Sequence, residues 1–179
     1  VFDAISCGDR ILLATGKGLN FLADGKPVPL DNTNTTWCLS FSSDSSVILA
    51  GQNNMISCYR YNKVKQSVEK NPVNIIEISE QARSIAEDKN GMVWVGTDVV
   101  KVYKLEFISG LFSPPEIKML DSVNGVPRIA QVSVINGKAV LGTWAGLYTF
   151  DEIAEKFIPD TLFGKEFADG SIDVFKIKE

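Results

Sequence analysis

Four short apolar runs carry a small residue near their ends, and these residues, Ala14, Ala50, Gly96 and Gly142, lie 36, 46 and 46 positions apart. A repeat of that length constrains the fold more than any single motif. Each unit is too small to bury its own apolar residues, so it must stack on its neighbours. The third unit is the clearest. It reads as a strand at 84–88, an Asn90-Gly91 turn, a second strand Met92–Thr97 and a third from about Val100. Val93 and Val95 alternate with Trp94 and Gly96, the period of two that a sheet with two different faces requires. Asn-Gly between such runs predicts a type I′ hairpin, whose two central residues take positive φ. Gly96 falls where the second strand must pass close to another backbone.

The same order of elements recurs in the other units. Leading strands are predicted at 2–6, 37–41, 83–88 and 129–135, and fourth strands at 26–30, 64–69, 116–120 and 156–159. Asp24-Gly25 and Asn136-Gly137 give further hairpin turns. Pro72 and Pro114-Pro115 cannot donate to a ladder and mark connections at 71–81 and 109–115. The last five residues match 83–87, which places the start of a fifth unit at 171–179. Four strands every 36 to 46 residues is the period of β-propeller blades. The expectation is therefore an all-β, β-propeller-like chain of about four four-stranded antiparallel blades, at 1–31, 36–70, 83–121 and 128–160. The competing fold is a β-sandwich of hairpins, but sandwich strands do not repeat their sequence. Such a segment is an incomplete propeller with apolar blade faces to cover. Either further blades beyond it or a second copy are expected as partners.

Composition narrows the function. The 179 residues hold 45% hydrophobic and 22% charged side chains, enough to bury a real core. A net charge of −4 supplies no basic footprint for nucleic acid. No apolar run approaches the roughly 20 residues of a membrane span, so any membrane link would come through flanking segments. The chain begins at Val1, so the lack of a targeting signal says little about location. Three cysteines, Cys7, Cys38 and Cys58, form no C-x-x-C pair and read as small buried hydrophobes. With no histidine in the chain, Ser-His-Asp and Cys-His catalysis and most transition-metal sites fall away. No catalytic residue, cofactor or metal is expected. Glu87-Asp88 would point to opposite faces of a strand, and their expected task is holding the Asn90-Gly91 turn.

Geometry offers candidates for binding instead. In a propeller, the loops entering first strands and those between second and third strands gather on one face around the axis. Counting back from the small residues reaches Trp37, Arg83 and Arg128, and counting forward reaches Gln52, Asp98 and Trp144. Aromatic, guanidinium and amide groups converging there would suit a uronate or sulfated sugar, by stacking and paired hydrogen bonds. The alternative is structural: Arg83 paired with Asp98, and Trp37 or Trp144 packed between blades. Trp94, inside a strand, is expected to be a blade-to-blade wedge.

The third unit, Glu87-Asp88-Lys89-Asn90-Gly91-Met92-Val93-Trp94-Val95-Gly96-Thr97, resembles the repeat of the two-component regulator propeller family, E-D-x-x-G-x-[LV]-W-[IV]-G-T. Gly142-Thr143-Trp144-Ala145-Gly146-Leu147-Tyr148 is similar to that repeat's second half. The first two units depart from it: Leu12 and Ile48 replace the tryptophan, and the second lacks Gly-Thr. The resemblance implies a periplasmic, ligand-sensing segment of a bacterial membrane signalling protein, often serving glycan use, with any histidine kinase downstream. A protein-interaction scaffold is the alternative, and a propeller lyase or hydrolase a third.

Overall fold

The computed structural model describes residues 1–128, 130–175 and 177. It is all-β, with no α-helix among the described residues and 15 strands. The first blade is the meander β1 (Asp3–Cys7), β2 (Arg10–Thr15), β3 (Gly18–Ala23) and β4 (Lys26–Asp31), paired in that order. The last is β12 (Gln131–Ile135), β13 (Lys138–Thr143), β14 (Gly146–Asp151) and β15 (Lys156–Pro159). Between them lie β5 (Thr36–Phe41), β6 (Val47–Asn62), β7 (Ser67–Val68), β8 (Asn74–Glu87), β9 (Met92–Thr97), β10 (Val102–Glu106) and β11 (Glu116–Leu120).

Two of these strands serve twice. β6 doubles back at Asn53-Asn54, where Asn54 takes φ 48°, and the Tyr61 amide donates to the Ser46 carbonyl at 2.8 Å. Its first arm pairs with β5 and its second with the start of β8. β8 then continues without a turn into the leading strand of the third blade, where it pairs with β9. The second blade's fourth strand is thus the first half of β8, not 64–69 as the repeat suggests. There only Ser67-Val68 pair, with Tyr61 and Asn62 at the end of β6 away from its turn. Ile76 and Ile78 are buried, so the stretch read as a connection at 71–81 is mostly strand.

The second, third and fourth blades each bury residues on both faces, while the first contributes to one cluster only. Adjacent residues of β6 fall in different clusters: Ile48 and Ala50 join Leu12 and Leu19 of the first blade, whereas Leu49 joins Val93 and Val95 of the third. Trp94 turns the other way, onto Leu141 and Phe157 of the fourth blade. Beyond the fourth blade, Phe167, Val174 and Ile177 pack on Ile135, Val140 and Leu147. The predicted fifth unit falls partly on residues 176, 178 and 179, outside the described residues, as does the predicted strand residue 129. The three cysteines are buried and form no disulfide with one another.

The small residues have a common cause. A Cβ on Gly96 would lie 2.7 Å from the Ala130 carbonyl oxygen, and one on Gly142 2.7 Å from that of Phe175. In the second blade the equivalent residue is Gly51, opposite Cys38 and 3.0 Å from the Ala82 carbonyl oxygen by the same measure. The anchor there is one residue later than Ala50. Turn types also depart from expectation at one place. Asp24-Gly25 and Asn136-Gly137 have positive φ at both residues, as type I′ turns require. At Asn90-Gly91 only Gly91 does, because Asp88 Oδ1 accepts from the amides of Asn90 and Met92 and shapes a longer turn.

Carboxylates latch consecutive blades near their connections. Tyr59 donates to Asp31 Oδ2 at 2.5 Å, and Tyr103 and Lys101 both donate to Glu80. Burial acts to raise the Glu80 carboxyl, but the hydrogen bonds from Lys101 and Tyr103 outweigh it and hold its pKa below the ordinary 4.5. The Asp31 carboxyl is lowered in the same way, its bonds from Tyr59 and Thr33 overcoming burial. A carboxyl whose pKa falls on folding stabilises the fold above its unfolded value and loses that contribution as pH falls through the folded one. Thermal melts are expected to hold level from pH 7 to about pH 5 and to drop below that. Tyr103→Phe should cost about 1–2 kcal/mol at pH 7 and visibly less at pH 3.

Candidate binding site

The leading strands β1, β5, the second half of β8 and β12 stand side by side around a central groove of about 580 Å³. Side chains tie each to the next. Asp3 Oδ2 accepts from the Leu39 amide at 3.0 Å, Ser84 Oγ from the Val132 amide at 2.8 Å, and Ser133 Oγ donates to the Ile177 carbonyl at 3.0 Å. At the far end of the groove Glu87 accepts from the Ser43 amide and hydroxyl. Glu87 thus joins two blades, and only Asp88 holds the turn.

At the mouth, three residues occupy one position in three consecutive blades. Asp3, Cys38 and Ser84 are the partners of Ala14, Gly51 and Gly96, and the residues just before them are Phe2, Trp37 and Arg83. Pairing slips at both Trp37 and Arg83, between Thr36 and Cys38 and between Ala82 and Ser84. Such bulges re-aim a side chain. Here they turn the indole and the guanidinium to the groove mouth. The rings of Phe2 and Trp37 lie 4.3 Å apart, and the Arg83 guanidinium carbon sits 4.0 Å from the Trp37 ring centre. Trp37 Nε1 donates to Asn53 Oδ1 at 2.8 Å, and Arg83 Nη1 to Gln81 Oε1 at 3.2 Å.

Of the six residues that the spacing singled out, Trp37 and Arg83 line the groove together. Gln52 does not reach it. It is 1% exposed, its amide donates to Thr36 Oγ1 and its carbonyl accepts from Ser57 Oγ. Its loop position belongs to Asn53, a consequence of the anchor being Gly51. Asp98 ties its own loop to β8, exchanging hydrogen bonds with the Gln81 backbone rather than meeting Arg83. Arg128 lies just ahead of β12, and Trp144, 49% exposed, rides the turn between β13 and β14. Neither lines the groove. Phe2 and Asn53 were missed. Phe2 carries a signal, its place one residue before the partner of Ala14. Nothing distinguishes Asn53 until the hairpin register is known.

No protein-family model matches the sequence, and no curated relative is found for it. Solved structures do match. The WD40 β-propeller domain of Doa1 superposes with a TM-score of 0.56 at 15% identity, over 79% of this chain and 47% of that one. Virginiamycin B lyase from Staphylococcus aureus gives 0.56 at 16% identity, over 83% and 52%. The extracellular domain of a candidate one component system from B. thetaiotaomicron gives 0.52 at 17%, over 79% and 20%. The chain spans about half the length of the first two and a fifth of the third. At these identities the likeness establishes the fold: this is a run of β-propeller blades. One fold hosts unrelated functions, so the likeness carries no activity with it.

Proposed function

We propose that the chain is the ligand-recognition part of a bacterial extracytoplasmic sensor, and that an acidic oligosaccharide binds at the groove mouth without being chemically altered. The observation that carries this reading is the Phe2–Trp37–Arg83 stack, held by Asn53 and aimed by two bulges. An aromatic platform beside a guanidinium offers a pyranose face and a carboxylate or sulfate their natural partners. The absence of histidine from the sequence supports binding over hydrolysis. The likeness of the third unit to two-component regulator repeats, and the sensor domain among the structural neighbours, support a role in signalling across a membrane.

Protein docking is the second reading, favoured by the exposed Trp144 outside the groove. A thermal-shift screen separates the two. Acidic oligosaccharides at millimolar concentration should raise the melting temperature by a few degrees, and Trp37→Ala should abolish the rise while Trp144→Ala leaves it intact. A shift lost with Trp144→Ala alone, or none with any acidic sugar, would sink the proposal.

A further inference from the structure

The mouth stack has a second property, which rests on the reading just given. Trp37 contacts a group from the blade on each side, Phe2 from the first and Arg83 from the third. Its indole N–H donates to Asn53 Oδ1, which favours the ring's present orientation. Phe2 is anchored through its backbone, its amide donating to the Ala14 carbonyl at 2.9 Å. Arg83 is the partner held least: an exposed side chain on a long stem, with one side-chain hydrogen bond to Gln81 besides the ring.

We infer that Arg83 is the gate of this site, covering Trp37 in the unbound protein and leaving it only for an anionic group on the ligand. The coupling makes selectivity a property of one residue. A neutral sugar would have to displace the guanidinium and give it nothing in return. A uronate or sulfate offers it two parallel charge-assisted hydrogen bonds, stronger than an exposed cation–π contact, and the movement that makes those bonds also uncovers the ring. Charge recognition and stacking thereby occur together or not at all.

The test compares wild type, Arg83→Ala and Arg83→Gln, first without ligand. With 5-fluorotryptophan incorporated, the Trp37 resonance, assigned through Trp37→Phe, should shift in both Arg83 variants and become more accessible to a soluble paramagnetic quencher. Titration with a galacturonate trisaccharide and with the neutral galactose trisaccharide follows. Arg83→Ala should weaken the acidic trisaccharide at least about tenfold and strengthen the neutral one about two- to fivefold, the size of an exposed cation–π contact removed from competition. An unchanged Trp37 resonance and accessibility in the unbound variants overturns the gate, whatever the sugars do. Loss of acidic binding with no gain for the neutral sugar overturns it too, while leaving the site itself in place. A failure of both trisaccharides in every variant, with Trp37 uncovered as expected, overturns the acidic-sugar reading and the anion-operated gate with it, leaving only the Arg83–Trp37 contact.

Discussion

Trp94→Ala is expected to lower stability by about 4–6 kcal/mol, the largest effect of any single side-chain truncation in the chain. Removing a fully buried tryptophan typically costs about 3–5 kcal/mol, and here the indole also answers a buried carboxylate. Trp94 is 1% exposed, its ring lies 5.0 Å from that of Phe150 and 5.8 Å from that of Phe157, and Nε1 donates to Asp88 Oδ2 at 2.9 Å. Truncation leaves that oxygen without its donor, at about 1–3 kcal/mol more. For a chain of this length the sum corresponds to a melting temperature lower by roughly 10 °C or more. Blades stabilise one another through their interfaces, so the damage should be uneven. Amide exchange should quicken most in β12–β15, which lean on Trp94, and least in β1–β4. Trp94→Phe should recover most of the loss, because it keeps the aromatic packing and forfeits only the bond to Asp88. Trp144→Ala, removing a half-exposed indole, should change stability by less than about 0.5 kcal/mol. Denaturant melts on the three variants decide the matter, and a Trp94→Ala protein within 1 kcal/mol of wild type would refute the wedge.

The sequence made the blades legible because burial on both faces leaves a double mark. Runs such as Val93-Trp94-Val95 are apolar throughout, yet their alternate residues go to different neighbours, and the small residue after them records where the next backbone passes. What stayed hidden was register. Ala50 and Gly51 are both small, and only the pairing of Cys38 with Gly51 shows which one faces the following blade. That single step moves Gln52 from the loop into the core and brings Asn53 to Trp37. The second blade's outer strand was obscured for a different reason. After its first residue, Asn74, β8 crosses from one blade to the next with no Gly, Pro or Asn to punctuate it. Of the candidate site, Arg83 follows from the spacing, whereas Trp37 was reached only because the count began at Ala50; from Gly51 the same count gives Cys38. The convergence of Trp37 and Arg83 depends on two bulges, and a bulge placed by tertiary packing leaves no residue signature to read.

Gly96→Val tests that packing logic where it is tightest. The backbone of Gly96 is in an ordinary strand conformation, so the substitution carries no penalty from φ; the obstacle is space alone. An added Cβ would sit 2.4 Å from Ser84 Oγ and 2.7 Å from the Ala130 carbonyl oxygen, closer than non-bonded atoms tolerate. Ser84 could rotate away, but its hydroxyl then abandons the Val132 amide, the bond that ties the third leading strand to the fourth. The carbonyl belongs to backbone and cannot yield without moving β12 itself. Overpacking of this kind costs about 1–3 kcal/mol, and the lost bond to a buried amide adds about 1–3 kcal/mol. The valine methyl groups should bring the total to at least about 4 kcal/mol. Gly96→Ala isolates the Cβ and should fall between, whereas Gly25→Ala, with nothing within 4 Å of its added carbon but φ at 72°, should lose only the backbone penalty of about 1 kcal/mol. The order Gly96→Val, Gly96→Ala, Gly25→Ala in denaturant midpoints is the expected result. If Gly25→Ala proved the most damaging, close approach between blades would not be what holds the small residues at their period.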